Sequence, residues 1–389
     1  MNRTIALIAL LTAFPPLSTD MYLPAIPLLR QQWNQPLVTI NLTLVFFFVT
    51  YCLFILVYGP VSDRFGRRQP LMAGISLFII ASVACALSGG IRMLIAARVF
   101  QAAGAAAASA LGLAMCKDLF DGRSRARIMA HIAVIMALAP MLAPIIGGWL
   151  LHWLSWPWLF IFQAGIGVVA FIGVYKMEEP LKSFNHVTFA NVLKVYFRVL
   201  KNGRFTGLML AMSVLVFPFF AFIAVSSEIY ISDFGLSERT FGYFFGFNAL
   251  AIMIGPLTFS YLSGRVSQKM LITAAFTGIM TGGIWMILTP HTGPWSLALP
   301  MWVLSFFLGL CRPPTNNLIL EQVDRDTGAA SSLVIFTFMM IGSVSMGIIS
   351  LAWSDKIAVL GIMGAASGGL ALIFWLRFSR VFLMVEQAK

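Results

Sequence analysis

Two ionisable side chains, Asp20 and Arg98, lie inside long apolar stretches of this sequence. A charged side chain at the centre of a bilayer costs about 2.5–3.5 kcal/mol on insertion scales, so it is expected to face a cavity or a partner. A carboxylate held there can take up and release a proton as its surroundings change, which is the chemistry of proton coupling. The alternative is a structural aspartate that bonds the backbone at a helix break, since Pro15, Pro16 and Pro24 flank Asp20.

Arg98 is the basic counterpart of Asp20. At 1.5 Å per residue, Arg98 lies roughly 10 Å and Asp20 roughly 13 Å from the ends of their apolar stretches that are predicted to face outward. An ion pair or a water-bridged link between the two side chains is therefore possible. A purely structural arginine, bonded to helix carbonyls, agrees equally well with the sequence.

The elements that position these residues are predicted to be membrane spans. The chain has 389 residues, of which 60% are hydrophobic and only 10% charged, and its mean hydropathy is +0.90. Because an open strand cannot satisfy its backbone in lipid, we predict an all-α membrane protein with twelve transmembrane helices. The apolar stretches fall near 4–29, 37–60, 70–89, 91–115, 127–151, 157–175, 205–230, 240–263, 270–289, 295–311, 328–352 and 357–376.

The distribution of positive charge predicts the orientation of these spans. The net charge of +12 would suggest a nucleic-acid partner in a soluble protein, but here it follows from the loops, and no nucleic acid is expected. Short loops rich in Lys and Arg stay in the cytoplasm. If the N-terminus is in the cytoplasm, only four of the Lys and Arg residues lie on the opposite side of the membrane. They are Arg30, Arg92, Arg239 and Lys356. We predict an inner-membrane protein with both termini cytoplasmic, whose first stretch is a retained span rather than a signal peptide.

The longest loop divides the spans into two sets of six. We predict a first six-helix half-bundle over 1–180, a cytoplasmic linker over 181–204 and a second half-bundle over 205–389. A weak repeat supports this division, because Gly59-Pro60 recurs as Gly255-Pro256. Apolar residues at helical spacing in 191–200 predict a short amphipathic helix on the inner leaflet.

A basic connector joins the second and third spans. It reads Gly-Pro-Val-Ser-Asp-Arg-Phe-Gly-Arg-Arg-Gln over residues 59–69. A generic cytoplasmic loop explains its arginines but not its glycines and aspartate at this spacing. The pattern resembles the loop signature of the major facilitator superfamily. That resemblance implies the fold of that superfamily and a conformational latch made by Gly59, Asp63, Arg64, Gly66, Arg67 and Arg68.

Three further segments resemble one branch of that superfamily, the twelve-span drug:proton antiporters of the Bcr/CflA type. Residues 20–27, Asp-Met-Tyr-Leu-Pro-Ala-Ile-Pro, resemble its first-span signature. Residues 98–104 are similar to the fourth-span Arg-x-x-Gln-x-x-Gly motif, which the superfamily links to proton transfer. Residues 139–148 resemble the fifth-span antiporter motif, with Ala143 in place of a common glycine. Its small residues and prolines let helices approach and bend, and it includes Pro140, Pro144, Gly147 and Gly148.

The remaining site residues are less sharply defined. The family often has Ser-Pro near the outer end of span seven, where this chain has Ser227-Glu228. Glu228 is either a second proton-coupling group or an interfacial side chain near water. Aromatic and amide side chains line pockets for apolar ligands, and from them we predict a substrate cavity that includes Tyr22, Asn41, Phe48, Gln101, Phe217 and Asn248.

These observations favour a secondary transporter, driven by protons, that exports drugs or other small lipophilic compounds by alternating access. A sugar or metabolite exporter of the same superfamily is the alternative. An intramembrane enzyme is disfavoured, because the sequence has no His-Glu-x-x-His or comparable catalytic motif. An ATP-driven pump is also disfavoured, because the sequence has no phosphate-binding Gly-x-x-x-x-Gly-Lys loop. We expect no catalytic residue, no metal and no cofactor, with the proton as coupling ion. The expected partners are a small-molecule substrate and the lipid bilayer, and the chain is expected to be a monomer.

Overall fold

The computed structural model describes residues 2–181 and 189–386, and its regular structure there is entirely helical. Eleven helices are long and apolar enough to cross a membrane, and a bent pair at the N-terminus raises the number to up to twelve. The predicted all-α, multi-span membrane architecture is confirmed. Residues 182–188 of the predicted linker lie outside the described residues.

The helices of the first part of the chain carry the predicted proton-coupling residues. They are α1 Asn2–Thr12, α2 Phe14–Thr19, α3 Ile26–Trp33, α4 Leu37–Phe65, α5 Arg68–Ala86, α6 Ile91–Leu119, α7 Gly122–Trp153 and α8 Pro157–Tyr175. A 3-10 helix, Asp20–Ala25, joins α2 to α3.

The later helices begin with the short α9, which overlaps the predicted amphipathic segment. They are α9 Phe189–Leu200, α10 Gly203–Ser213, α11 Phe217–Ser227, α12 Glu238–Leu262, α13 Gln268–Leu288, α14 Pro294–Leu320, α15 Thr327–Ile349 and α16 Lys356–Glu386. A 3-10 turn, Val214–Val216, and a π-helical segment, Glu228–Asp233, interrupt the seventh span and close its end.

The first span, predicted as the apolar stretch 4–29, is broken near the prolines that flank Asp20 in the sequence. Its two parts, Thr4–Thr12 and Phe14–Trp33, meet at an angle of 48°. Prolines explain the break, because they have no N–H and clash with the preceding turn. Proline occupies the first positions of α2 and also lies inside the 3-10 helix, at Pro24. Asp20 is the first residue of that irregular stretch.

The tenth span runs farther than the sequence predicted. The predicted apolar stretch ended at residue 311, just before Arg312 and two prolines, and prolines normally end a helix. In the structure α14 continues to Leu320 with Pro313 and Pro314 inside it. Arg312 therefore lies within the helix rather than in a loop.

Two compact units divide the chain. One comprises Met1–Val195 with Ile231–Gly246, and the other comprises Tyr196–Tyr230 with Phe247–Lys389. Within the first unit, α6 packs against both α4 and α5, and α5 also packs against α8. Within the second, α13 packs against α14 and α16, and α11 packs against α15. The division into half-bundles and linker at residues 180 and 204 stays a prediction.

Candidate functional site

The carboxylate of Asp20 lies at the break of the first span and is almost completely buried, with 6% of the residue exposed. The Thr19 hydroxyl donates to Oδ1 of Asp20 at 2.9 Å. In the part of the chain that the structure describes, no backbone N–H bonds this carboxylate. The structural alternative, in which Asp20 caps the backbone at the break, therefore has no hydrogen bond to support it.

Arg98 reaches the same break from α6 and is completely buried. Its Nη1 donates to the backbone carbonyl of Ser18 at 2.8 Å and to Oε1 of Gln101 at 2.6 Å. Among the described residues no ion pair joins Arg98 to Asp20. The link between the two residues runs through the backbone of the first span, since Ser18 lies two residues before Asp20, where the 3-10 helix begins.

Three aromatic rings surround the Arg98 guanidinium. The Cζ atom lies 4.3 Å from the ring centre of Phe47, 5.1 Å from that of Tyr22 and 6.0 Å from that of Phe160. Aromatic faces attract a cation, and desolvation strengthens this attraction. The rings thus compensate part of the cost of burying a charge that has no carboxylate partner.

A chain of amides extends from Arg98 to the first span. Nε2 of Gln101 donates to Oγ of Ser82 at 2.8 Å and to Oε1 of Gln163 at 2.7 Å, and Nε2 of Gln163 donates to the Leu17 carbonyl at 3.1 Å. Two adjacent carbonyls before Asp20 are therefore held by side chains of other helices. Sequence reasoning found Gln101 but missed Gln163 and Ser82. The signal for Gln163 was present, because a lone amide within an apolar span needs partners.

The antiporter motif packs against the same break. Pro140 and Pro144 lie inside α7. A Cβ atom added at Gly147 would collide with the carbonyl oxygen of Met21, the residue after Asp20. A Cβ added at Gly148 would collide with the carbonyl of Glu238, at the start of α12. The two glycines let α7 approach the backbones of the first span and of α12 closely. The first span carries the predicted proton site, Asp20.

The basic connector is held by three carboxylates. Arg67 pairs with Asp63 at 2.6 Å and with Asp118, at the end of α6, at 2.8 Å. The carboxylate of Glu179 accepts the backbone N–H groups of Arg67 at 2.7 Å and Arg68 at 3.0 Å. Burial lowers the pKa of Arg67, but the hydrogen bond to Asp118 and the charges of Asp118 and Asp63 outweigh it and leave this pKa above its ordinary value.

The other residues of the connector have separate roles. Gly66 has φ +87°, a conformation that L side chains rarely adopt, which explains a glycine there. Nη2 of Arg68 donates to the Tyr175 carbonyl at 2.5 Å. The Arg64 guanidinium lies 5.2 Å from the ring centre of Phe65. At Gly59 no atom lies within 4 Å of an added Cβ, so close packing does not explain that glycine.

Asp118 and Glu179 were not singled out from the sequence as partners of this connector. Asp118 lies at the C-terminal end of α6, and Glu179 lies in the segment after α8. Both are far from residues 59–69 in the chain. The sequence places both at the ends of spans but does not pair them. The structure thus extends the predicted latch from one loop to three chain segments.

The predicted cavity residues are divided between the two units. In the first, Tyr22, Asn41 and Gln101 are completely buried, and Phe48 is 7% exposed. Tyr22 bonds Thr43 through their hydroxyls at 3.2 Å. Tyr22 and Gln101 belong to the surroundings of Arg98. In the second unit, Asn248 is 2% exposed and Phe217 begins α11, half-buried.

Glu228 lies in the second unit, at the start of the π-helical segment, and is 1% exposed. The sequence left open an interfacial position near water. In the structure this carboxylate is instead buried in protein. No group of His, Cys, Asp and Glu residues in the described ranges could hold a metal ion.

Comparisons with known proteins show the family of this chain. Residues 8–345 match the family described as Major Facilitator Superfamily. The chain is 30% identical to an uncharacterized MFS-type transporter, YdgK of Bacillus subtilis, over 94% of this chain and 93% of that protein. It is 29% identical to the multidrug transporter MdfA of Yersinia pestis, over 84% and 80%. It is 26% identical to a bicyclomycin resistance protein homolog of Haemophilus influenzae, over 96% and 95%.

Solved structures show the same fold at low identity. A mutant of the nucleoside transporter NupG superposes with a TM-score of 0.77 at 11% identity, covering 98% of this chain and 99% of that one. The xylose transporter XylE from E. coli superposes with a TM-score of 0.72 at 14% identity, covering 96% and 97%.

Proposed function

Because the chain belongs to the Major Facilitator Superfamily and is a membrane transporter rather than an enzyme, we propose that it exports small lipophilic compounds, drugs among them, in exchange for protons. The names of two relatives, a multidrug transporter and a bicyclomycin resistance protein homolog, support drugs as the substrate class. We place it in the inner membrane with both termini in the cytoplasm, on the basis of its loop charges.

One observation carries the proton coupling. Asp20 is a buried carboxylate at the break of a membrane span, and its one hydrogen bond in the described structure comes from the Thr19 hydroxyl. A carboxylate with so few donors and no ion pair can exist as the neutral acid without losing a strong interaction. It can therefore change its protonation state when the protein changes shape.

The proposed cycle uses this single acid. When the site opens outward, Asp20 takes up a proton and the drug leaves. When it opens inward, drug binding favours release of the proton to the cytoplasm. Drug and proton each shift the same conformational equilibrium by their difference in affinity for the two states. Arg98 and the amide chain hold the break in place, and the connector at residues 59–69 controls the conformational change.

A sugar or metabolite exporter of the same superfamily is the competing proposal. Two neighbours of similar fold transport a nucleoside and xylose, but at 11% and 14% identity they support the fold alone. The names of the multidrug transporter and the bicyclomycin resistance protein homolog, at 29% and 26% identity, favour drugs as the substrate class instead.

The test is a titration of the purified protein in weakly buffered detergent with a pH-sensitive dye. Tetraphenylphosphonium, a lipophilic cation, should bind and release protons, whereas D-xylose should do neither. Binding and proton release with xylose alone would favour the metabolite exporter. Binding of tetraphenylphosphonium without proton release at any pH between 5 and 9 would overturn the proposed coupling.

A further inference from the structure

Arg312 is a second arginine inside a membrane span, and none of the roles described above involves it. It lies in α14, about 12 Å along the axis from the end of that helix at Leu320. Its depth makes the charge costly unless something compensates it. The sequence predicted Arg312 in a loop, because the predicted apolar stretch ended at residue 311.

The guanidinium of Arg312 has no polar partner in the described part of the chain. Its Nε is buried without a hydrogen bond. Its one described contact with an aromatic ring is Phe338, 5.7 Å from Cζ to the ring centre. Arg98 also has its Nε and Nη2 buried without a hydrogen bond, but its Nη1 bonds two acceptors and three rings surround it. The guanidinium of Arg312 bonds no acceptor among the described residues, so its donors remain available.

Other unbonded polar atoms lie on the same face of α14. Asn316 and Ser305 stand one turn after and two turns before Arg312, at helical spacings that share a side. The Oδ1 atom of Asn316 and the Oγ atom of Ser305 are buried without a hydrogen bond, and Ser305 is completely buried. Burying such atoms without a partner is costly, so a group that binds them is favoured.

The adjacent helix α12 adds an amide to this face. It runs parallel to α14, because Phe247 stacks on Trp302 with ring centres 6.0 Å apart, and because farther along a Cβ at Gly255 would meet the Phe306 carbonyl at 2.5 Å. Asn248 lies on the side of α12 that faces α14, two turns before that approach. Both amide atoms of Asn248 are buried without a hydrogen bond.

We propose that Arg312 binds an acidic group, such as a carboxylate, on the exported molecule. A guanidinium presents a fork of donors that matches a carboxylate, and in a dry site this pairing is strong. The Asn316 amide assists at that end. Ser305 and Asn248, about 10 Å along the axis from Arg312, bind polar groups elsewhere on the same molecule. This inference rests on the proposed export function and names its substrate class: amphipathic molecules with an acidic group.

The test compares two fluorescent probes that differ only in charge at one end. Dansylglycine carries a carboxylate, and dansylglycine amide does not. Purified wild-type protein should bind the acid at least tenfold more tightly than the amide. Arg312→Gln should weaken binding of the acid by about tenfold or more, the size expected for one charge-assisted bond, and leave the amide unchanged. Arg312→Lys should restore part of the loss, because it keeps the charge but not the fork.

A matched control separates this site from a general effect of charge. Arg265 belongs to the same unit, lies outside the spans and also faces a ring, with Cζ 4.2 Å from the centre of Tyr261. Arg265→Gln should bind both probes as the wild type does. If wild-type protein does not prefer the acid, or if Arg312→Gln weakens both probes equally, the proposal is wrong. Absence of proton release with tetraphenylphosphonium would instead overturn the proposed proton exchange and leave this binding result standing.

Discussion

Arg98 holds the first span by its backbone: Nη1 of Arg98 donates to the carbonyl oxygen of Ser18 at 2.8 Å. This carbonyl lies just before the 3-10 helix that Asp20 begins. The sequence allowed an ion pair or a water-bridged link between Arg98 and Asp20, or a purely structural arginine bonded to helix carbonyls. In the structure Arg98 bonds one carbonyl, at a position where it fixes the segment that carries the Asp20 carboxylate.

Replacement of Arg98 should therefore impair the proton step more than drug binding. Arg98→Ala removes the bonds to Ser18 and Gln101, and we expect proton release induced by tetraphenylphosphonium to fall at least tenfold. Arg98→Lys should recover little, because an ammonium lacks the planar guanidinium that lies among the three rings. Proton release and probe affinity are measured on the same purified samples. Arg92→Ala, an exposed arginine of the same helix, should behave as the wild type. Wild-type coupling in Arg98→Ala would leave this contact without a role in transport.

The contact between Gly147 and the first span gives a second prediction. Gly147→Val would drive its side chain into the Met21 carbonyl. Overpacking of this kind costs about 1–3 kcal/mol, so the variant should melt several degrees lower and lose transport in proteoliposomes. Gly165→Val is the matched control, because no atom lies within 4 Å of a Cβ added there. Equal melting temperatures and transport rates for the two variants would show that α7 does not need this close approach.

The connector gives a third prediction, which concerns the rate of transport rather than the affinity for the transported probe. The Glu179 carboxylate bonds the backbone N–H groups where α5 begins. A charge at a helix N-terminus contributes about 0.3–1 kcal/mol, so Glu179→Gln should change turnover roughly two- to fivefold. The dissociation constant of tetraphenylphosphonium should not change, because the connector acts on the conformational equilibrium. Glu178→Gln removes the same charge at the neighbouring exposed residue. A loss of affinity in Glu179→Gln, or an equal loss of rate in both variants, would contradict the latch.

Much of the fold could be predicted from the sequence. The length of an apolar stretch and the charge of a loop can each be read from one continuous segment. The spans were placed to within a few residues where no proline intervened, as in α8. The breaks were harder to predict. Prolines near Asp20 bend the first span, whereas Pro313 and Pro314 remain inside α14. Proline alone does not decide between these outcomes, since neighbouring helices must supply or withhold partners for the freed carbonyls.

The site was predicted in part, for a similar reason. Asp20 and Arg98 were found because a charged residue within an apolar stretch can be recognised from that stretch alone. Gln163 and Glu179 were missed because their roles depend on partners from distant segments, which only the folded chain brings together. Arg312 was misplaced because its span boundary was misplaced.

The central claim is that Asp20 is the proton-coupling acid, and one measurement tests it most directly. Proteoliposomes containing wild-type protein or Asp20→Asn are given a pH difference, and the accumulation of tetraphenylphosphonium against its gradient is followed with no membrane potential. Asn keeps the shape and can accept the Thr19 hydrogen bond, but it cannot titrate. Glu228→Gln, which alters the other buried carboxylate in the same way, is run in parallel. The account predicts that Asp20→Asn folds and binds the probe but accumulates none, while Glu228→Gln retains accumulation. Accumulation by Asp20→Asn at the wild-type level would contradict it.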